Sequence, residues 1–363
     1  MKRLTSVANL LVFLALLTPV TTAQSMSDRQ RDNLAGPVRS MQIEFAEANA
    51  VDGRLVEIKR WPHQRVTYNE RGHEVERVNF NQDGTVQDRS VIRYDSEGRI
   101  LGYGDAKKDR YHSAIEYDTK GNRIEARMYE GDVIQTREVY TYDDKGRKIE
   151  QSRFADGGAF HERLTYAYNA SGQLTEMAAY RSGTLKEKHL KTYDGAGNLV
   201  KEASVNYESP GQNSTVEYLY NKFGREIERY ADTAILWSKV QTLYDAKGRV
   251  AQRTTFMEYK QPNVMQSHAP KPGRVVFRYN DRGQVLEEAV YEPDAALASK
   301  TVFTYDKVGK LIEEAHVSSN VPGDWKVSYE YDSHGNWVKR IKPNTDHTGR
   351  QYIYVEHRAI TYY

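Results

Sequence analysis

The residues best suited to chemistry in this sequence are glutamates that recur at one position of a repeating pattern. Two facing carboxyl groups can divide the acid and nucleophile or base roles of glycoside hydrolysis. Lysine and arginine accompany these glutamates, however, and a row of mixed charge is typical of a solvated strand face with cross-strand pairs. The sequence favours that structural role, and a polysaccharide-acting enzyme remains the alternative. Each glutamate lies four residues after a glycine: Glu76, Glu125, Glu150, Glu176, Glu228, Glu287 and Glu313.

Aspartates form a second recurrent set, each three residues before a glycine. Carboxylate oxygens could bind calcium, but asparagine takes the same place after Tyr68, Tyr168, Tyr220 and Tyr279. A turn tolerates that exchange better than a cation site does, so we predict that these residues cap turns and bind no metal. The predicted turn residues are Asp95, Gly98, Asp118, Gly121, Asp143, Gly146, Asp194, Gly197, Asp245, Gly248, Asp306, Gly309, Asp332 and Gly335.

Known catalytic motifs do not occur. The sequence contains no G-x-S-x-G, G-x-x-x-x-G-K, G-x-G-x-x-G or H-E-x-x-H, the patterns of several hydrolase, nucleotide and zinc sites. His161-Glu162 continues as Arg163-Leu164-Thr165, so the second histidine is missing. There is no cysteine, and the ten histidines show no metal-ligand spacing. We predict a protein that is not an enzyme and carries no cofactor.

Four tryptophans are the remaining singular residues, and an exposed aromatic ring on a sheet can stack on a sugar. Trp337 stands where other repeats have Leu, Ile or Val, so we expect it to cover the end of the stack. Trp237 and Trp325 lie between repeats, where function concentrates, and are the predicted ligand-binding residues. The alternative is that both pack under adjacent strands.

A repeated phrase, Tyr-[Asp/Asn]-x-x-Gly, defines the elements that carry these residues. Successive copies are 23 to 27 residues apart, except for one spacing of 35. That spacing contains the proline-rich stretch Lys260 to Gly273, which predicts an inserted loop. We call the eleven tyrosines that begin the phrase the ladder tyrosines: Tyr68, Tyr94, Tyr117, Tyr142, Tyr168, Tyr193, Tyr220, Tyr244, Tyr279, Tyr305 and Tyr331.

The phrase predicts a bulged β-hairpin. Asp or Asn favours the first position of a type I turn, and glycine three residues later suits a left-handed conformation. Apolar residues alternate before the turn, as in Val275, Phe277 and Tyr279, which indicates a strand. The ladder tyrosine should face the residue two past the glycine, with its hydroxyl at a wet edge. Eleven such hairpins give a meander of roughly 22 strands.

The first residues resemble a cleavable secretory signal. Lys2 and Arg3 precede an apolar run at residues 10–17, shorter than the roughly 20 residues that span a bilayer, and a small residue precedes Gln24. We predict a signal peptide at 1–23, cleaved near Ala23, and hence a secreted or periplasmic protein. The predicted organisation continues with a lead-in segment at 24–60 containing first strands and a short helix at 27–34, repeats at 61–341 and a closing strand at 342–363.

Balanced charge limits the partners. Removing Lys2 and Arg3 leaves 52 − 2 = 50 basic residues against 50 acidic ones, so net charge attracts neither nucleic acid nor anionic lipid. Both faces of the strand at residues 147–154 carry charge, and charged rows facing lipid are costly. We therefore predict that the chain does not span a membrane.

The phrase YDxxGR or YDxxGN, followed by an apolar residue and often by Glu, resembles the YD repeat of RHS proteins and teneurins. The resemblance runs from Tyr68 to about Ile341 and implies a large β-sheet shell or spiral used for surface contact or toxin enclosure. Two departures weaken the enclosure role: no Asp-Pro-x-Gly-Leu signature occurs, and no toxin domain follows. The ending "YDSHGNWVKRI" and "YIYVEHRAITYY" resembles that of small secreted bacterial relatives.

These observations predict an all-β fold of tandem antiparallel YD-type hairpins. Because a flat sheet of this size would be about 100 Å wide and sheets twist, we predict one long curled sheet. It should form a spiral or open shell, and a wide barrel is the other closure that the twist allows. The predicted function is an exported, non-enzymatic β-repeat scaffold that binds a glycan or a protein at the cell envelope or outside the cell. A purely structural surface protein is the second alternative, beside the polysaccharide-acting enzyme.

Overall fold

The computed structural model describes residues 27–51, 54–104, 111–155, 158, 160–234, 236–260, 273–319, 325–345 and 351–363. The predicted signal peptide and most of the proline-rich insert lie outside these residues. The described part contains one short α-helix, one 3-10 helix at Pro210–Gln212 and 24 strands. Neither helix has the length and apolar character needed to cross a bilayer.

The α-helix, α1 (Asp28–Arg31), lies within the predicted segment 27–34 but is only one turn long. Ser27 begins it with a capping box, in which its side chain accepts from the Gln30 N–H and the Gln30 side chain accepts from the Ser27 N–H. Reciprocal capping satisfies two backbone donors that a helix start leaves free.

The strands follow one another along the chain. In order they are β1 (Val38–Val51), β2 (Arg54–Tyr68), β3 (Glu74–Phe80), β4 (Val86–Tyr94), β5 (Ile100–Gly104), β6 (Tyr111–Tyr117), β7 (Arg123–Glu130), β8 (Val133–Tyr142), β9 (Lys148–Ala155), β10 (Phe160–Tyr168), β11 (Leu174–Arg181), β12 (Thr184–Tyr193), β13 (Leu199–Asn206), β14 (Ser214–Tyr220), β15 (Glu226–Asp232), β16 (Leu236–Tyr244), β17 (Val250–Tyr259), β18 (Gly273–Tyr279), β19 (Val285–Tyr291), β20 (Leu297–Tyr305), β21 (Leu311–Ser318), β22 (Trp325–Tyr331), β23 (Trp337–Thr345) and β24 (Gln351–Tyr362).

Every strand pairs antiparallel with the next, and the last strand pairs with the first. β24 joins β1 from Val38↔Tyr362 to Ala48↔Ile353, so the sheet closes into a 24-stranded barrel. The predicted open spiral or shell is therefore wrong. Closure is favourable because an open sheet leaves two rows of unpaired N–H and C=O groups, and a ring has none. The eleven hairpins supply the 22 predicted strands, β2 to β23, and β1 and β24 add two more.

The bulged hairpins are confirmed. Gly146, Gly248 and Gly309 have φ of 76°, 77° and 93°, in the region that favours glycine. The register slips by one residue at the ladder tyrosine, so that Tyr305 faces Leu311, two residues past Gly309. The Gly309 N–H donates to the Asp306 carbonyl at 3.1 Å. The local phrase therefore fixes both the turn and the tyrosine partner.

The ladder tyrosines make a contact that the sequence did not predict. In ten of the eleven, the hydroxyl donates to the backbone carbonyl of the residue two past the glycine of the preceding repeat, at 2.6–2.9 Å. Tyr305, for example, reaches the Val285 carbonyl at 2.8 Å. The hydroxyl of each of these ten tyrosines therefore joins its own hairpin to the preceding one.

The two faces of the sheet differ in their electrostatics. On the face that carries the ladder tyrosines, the ladder face, burial raises the pKa of Tyr94, Tyr166 and Tyr329 to about 12. Burial also lowers the pKa of Lys148 on that face. On the opposite face, hydrogen bonds from Tyr230, Gln241 and Lys239 lower the pKa of Glu228 to about 2. The ladder face is thus the desolvated one, and the opposite face is ion-paired.

The best-buried part of the described molecule is the seam between the two chain ends. One cluster contains Leu34, Val38, Met41, Val66 and Tyr68, and a second contains Ala46, Ala48 and Val355. Asn336 is 2% exposed. Its amide accepts from the Ala35 N–H at 2.6 Å and donates to the Ala35 carbonyl at 2.9 Å and the Tyr362 hydroxyl at 2.8 Å. One buried side chain of the final repeat therefore contacts both chain ends, beside the strand pairing that closes the sheet.

Replacing Asn336 with Ala should lower the free energy of unfolding by about 1–3 kcal/mol, because Ala35 and its neighbours lose buried partners. Asn198→Ala is the matched control, since Asn198 occupies the same repeat position but bonds only Asp194 in its own turn. Denaturant unfolding of both variants measures the difference. Equal losses in the two variants would contradict the special role of the seam.

Replacing Gly283 with Val should also destabilise, by about 1–3 kcal/mol. Gly283 has φ of 85°, and a Cβ there would meet no atom within 4 Å, so the loss would report backbone conformation and not a clash. Gly195→Ala is the control, because Gly195 lies in an equally open turn position without a positive φ. An unchanged unfolding midpoint for Gly283→Val would remove this account of the turns.

Candidate binding groove at the turn rim

The eleven Tyr-[Asp/Asn]-x-x-Gly turns connect even-numbered to odd-numbered strands, so they all lie at one end of the barrel, which we call the turn rim. In each aspartate turn, the carboxylate accepts two backbone N–H groups. Asp143, for example, accepts from Lys145 at 3.0 Å and from Arg147 at 2.9 Å. The predicted turn capping is confirmed at Asp95, Asp118, Asp143, Asp194, Asp245, Asp306 and Asp332.

In five of the seven aspartate turns, the second carboxylate oxygen also accepts from the side chain that follows the glycine. Arg147 Nε donates to Asp143 at 2.7 Å, and this contact holds the pKa of Asp143 below its usual range. Asn122 does the same for Asp118, at 2.9 Å. Within the described residues, no three acidic or imidazole side chains come together as a metal site would require. The turn aspartates therefore have structural partners.

The arginine after the glycine is held a second time by the next repeat. The guanidinium of Arg147 lies 4.8 Å from the ring of Tyr168, and that of Arg249 lies 4.4 Å from the ring of Tyr279. A cation over an aromatic face is attracted by the ring quadrupole. Each such arginine therefore links its own turn carboxylate to the next ladder tyrosine.

One turn breaks this arrangement. Asn221 replaces aspartate, yet arginine still follows the glycine, as Arg225. Asn221 Oδ1 accepts from the Arg225 backbone N–H at 3.1 Å, but it offers no charge to the guanidinium. Across the described ranges Arg225 forms no ion pair, whereas Arg99, Arg147 and Arg249 each pair with their turn aspartate.

Arg225 lines a groove of about 550 Å³ between the turns at 221–224 and 245–248. Its guanidinium lies 5.7 Å from the rings of both Phe223 and Tyr244. Phe223 is 68% exposed at the turn tip, and Leu243 on the groove wall is 57% exposed. An exposed aromatic ring, an aliphatic wall and an unpaired guanidinium are therefore in one concavity.

The same groove recurs between the turns at 280–283 and 306–309, with about 470 Å³. Arg282 and Gln284 take the places of Phe223 and Arg225 there. Both side chains form hydrogen bonds to the neighbouring turn: Gln284 donates to the Gly309 carbonyl at 2.6 Å, and Arg282 donates to the Lys307 carbonyl at 3.0 Å. The first groove thus differs from this copy in having an exposed aromatic ring and a guanidinium that forms no ion pair among the described residues.

Six of the seven glutamates in the row form ion pairs, as the sequence favoured, and the seventh, Glu150, accepts a hydrogen bond from Ser152 Oγ at 2.9 Å. Glu125 meets Arg137 at 2.7 Å and Glu287 meets Lys300 at 2.6 Å, in each case with a cation five residues before the next ladder tyrosine. The same pairing joins Glu76 to Arg89, Glu176 to Lys188, Glu228 to Lys239 and Glu313 to Lys326. These six carboxylates are bound to cations and do not form facing acid–base pairs.

The predicted binding residues Trp237 and Trp325 are not brought together. Trp237 is the second residue of β16 on the opposite face, and Trp325 begins β22 on the ladder face. They lie in strands, and not in the variable segments where we expected them. The ring of Trp325 stacks on the ring of His316, with 3.7 Å between the ring centroids. That each tryptophan binds a ligand remains a prediction, and the two residues would belong to two separate sites. Trp337, with Arg358 at 3.5 Å over its ring, packs near the seam, consistent with the expected covering role.

A hydroxyl–imidazole–carboxylate chain lies beside Trp325. Thr301 Oγ1 is 3.0 Å from His316 Nδ1, and His316 Nε2 is 3.3 Å from Glu314 Oε2. Nucleophilic catalysis also needs free donors for an oxyanion. Thr301 lies inside β20, which pairs with β19 and β21 on both sides at this residue. The backbone N–H groups around Thr301 are therefore engaged in the sheet.

The sequence analysis missed the groove, although a signal was present. Asparagine at the turn combined with arginine after the glycine occurs at 221–225, while the other Arg-containing copies have aspartate. Phe223 is also the aromatic residue at a turn tip. Neither feature predicts a groove without the knowledge that consecutive turns are neighbours at one rim.

The comparisons with known proteins give limited information. The family matching residues 242–355, less than half of the chain, is described as an uncharacterised protein. No curated protein matches. The crystal structure of TcdB2-TccC3-Cdc42 is 12% identical with a TM-score of 0.37, over 86% of this chain and 22% of that one. A porin-like protein from Bacteroides uniformis is 11% identical with a TM-score of 0.27, over 90% and 98%. This chain therefore spans about a fifth of the TcdB2-TccC3 chain.

The turn carboxylates predict how stability depends on pH. The pKa values of Asp118, Asp143, Asp194 and Glu228 are lowered by hydrogen bonds in the folded state. Their contribution is present above the unfolded pKa of about 4 and is lost as pH falls below it. The urea midpoint should thus decrease between pH 6 and pH 3, and less so in Asp194→Asn. A midpoint independent of pH over this range would contradict the account.

Proposed function

We propose that this protein is an exported, non-enzymatic scaffold of YD-type repeats that binds a glycan at the turn rim. The observation that carries the proposal is the groove between the turns at 221–224 and 245–248. It places the exposed ring of Phe223 next to polar groups of Asn221, Arg225 and Lys247. Sugar rings stack their C–H faces on aromatic rings while their hydroxyls take hydrogen bonds, and this groove supplies both kinds of partner.

The groove fits a glycan better than it fits a protein. Its volume of about 550 Å³ lies in the range of about 300–1,000 Å³ that small-molecule sites occupy. A stable protein interface buries about 800 Å² on each partner, which one groove does not offer. Consecutive turns are two strands apart, about 10 Å, so a linear polymer could meet several turns along the rim. An envelope protein remains the second partner class.

Export and family membership belong to the same proposal. The signal-like start of the chain supports a secreted or periplasmic location, and the repeated phrase supports a relation to YD-repeat proteins of bacterial type. The closed ring of hairpins is compatible with both. Toxin enclosure is not part of the proposal, since the sequence lacks the self-cleavage signature of toxin shells.

A glycan array screened with residues 24–363 tests the proposal, followed by calorimetry on the best oligosaccharide. Phe223→Ala should weaken binding by about tenfold, because a lost stacking contact of about 1.4 kcal/mol has that effect. Val308→Ala is the matched control: Val308 has the same turn position, is 75% exposed and is not among the residues that line the second groove. Trp237→Ala and Trp325→Ala test the two earlier candidates in parallel. Equal affinities of Phe223→Ala and Val308→Ala would remove the groove as the site.

A further inference from the structure

We propose that this groove selects glycans that carry a carboxylate, with Arg225 as the residue that binds it. The inference rests on the proposed glycan-binding function and adds the chemical class of the ligand. The repeats of this chain can be compared position by position. The repeats that contain an arginine after the turn glycine show which partner that arginine has when its role is structural.

The arginine after the turn glycine has a carboxylate partner in the other copies that contain it. Arg99, Arg147 and Arg249 donate through Nε to their turn aspartates at 2.6–2.7 Å. Arg225 has the same place in the repeat, but Asn221 stands where the carboxylate would be. The guanidinium therefore lacks the carboxylate partner of the other copies among the described residues, and it lines the groove together with Asn221 and Gly248.

The surroundings of Arg225 favour an anion from outside. Phe223 and Tyr244 each lie 5.7 Å from its guanidinium carbon and support it through their ring faces. Lys247 lines the groove, and the Lys222 ammonium lies 5.0 Å from the ring of Phe223. Neither lysine forms an ion pair within the part of the chain that the structure describes. The one acidic residue in the lining, Asp245, is already bound by Arg249. The groove is thus locally positive in a chain whose total charge is nearly balanced.

A carboxylate matches this geometry better than a neutral or a sulfated group. A guanidinium presents two parallel N–H groups, which meet the two oxygens of a carboxylate in one plane. A hexuronate bears its carboxylate at the edge of the sugar ring. A uronate stacked on Phe223 would therefore direct that group to Arg225, with the ring and the charge recognised by neighbouring residues.

The decisive variant is Asn221→Asp, which supplies the carboxylate that the other arginine-containing turns have. It should pair with Arg225 and exclude the ligand from it, while melting stays unchanged or rises. The control is Asn280→Asp, at the same position of the second groove, where Gln284 follows the glycine. Arg225→Gln removes the charge directly. The probes are oligogalacturonate, a neutral galactan oligosaccharide of equal length and a sulfated galactan oligosaccharide.

We expect Asn221→Asp and Arg225→Gln to reduce the affinity for oligogalacturonate at least tenfold, and by a larger factor than the affinity for the neutral galactan, whereas Asn280→Asp should leave the affinity for oligogalacturonate unchanged. Wild-type affinity in Asn221→Asp would overturn the inference. Equal binding of oligogalacturonate and neutral galactan by the wild-type protein would overturn carboxylate selection and leave glycan binding intact. Equal or tighter binding of the sulfated probe would overturn the choice of carboxylate. No binding to any glycan would remove the proposed function and this inference with it.

Discussion

The hydrogen bond from ten of the eleven ladder tyrosines to the preceding hairpin is the contact on which the architecture depends. It lies outside the strand ladder and joins side chain to backbone at the turn rim, so it fixes how successive turns are spaced. Phenylalanine would give the same ring burial without this link, which explains why Tyr outnumbers Phe 27 to 9. One such bond contributes about 0.5–1.5 kcal/mol net, but ten copies impose one geometry around the ring.

The chain ends complete this series where the repeat cannot. Tyr68 is the first ladder tyrosine and has no preceding hairpin, so its hydroxyl donates to Asp32 beside α1. The carbonyl of Tyr68 accepts from the hydroxyl of the last residue, Tyr363. Tyr362 reaches Asp332 in the final turn. The seam therefore continues the tyrosine contacts with residues from outside the repeat, and this continuity closes a modular array into a ring.

A contact could be predicted from the sequence when its residues are close together along the chain. The turns, the positive φ of Gly309 and the pairing of Tyr305 with Leu311 follow from a few adjacent residues, and the sequence analysis obtained them. Closure requires Val38 to pair with Tyr362, and two strands at opposite ends of a chain carry no local pattern that names their partner. The tyrosine hydroxyl bonds need the relative position of two hairpins, so they too lie beyond a pattern read within one repeat.

The candidate site illustrates why exceptions inside a repeat are more informative than its unusual residues. Tryptophans attracted attention because they are rare, yet a large ring can serve packing anywhere, and Trp325 and Trp337 each have stacking partners within the sheet. Arg225 looks ordinary in the sequence. Its meaning comes from Arg147 and Arg249, which show what the position needs for structure alone: a carboxylate in its own turn. The other copies define what the structure requires at this position. Arg225 does not meet that requirement, and its charge lies in a groove beside an exposed ring. This turn is therefore the best candidate for a binding site.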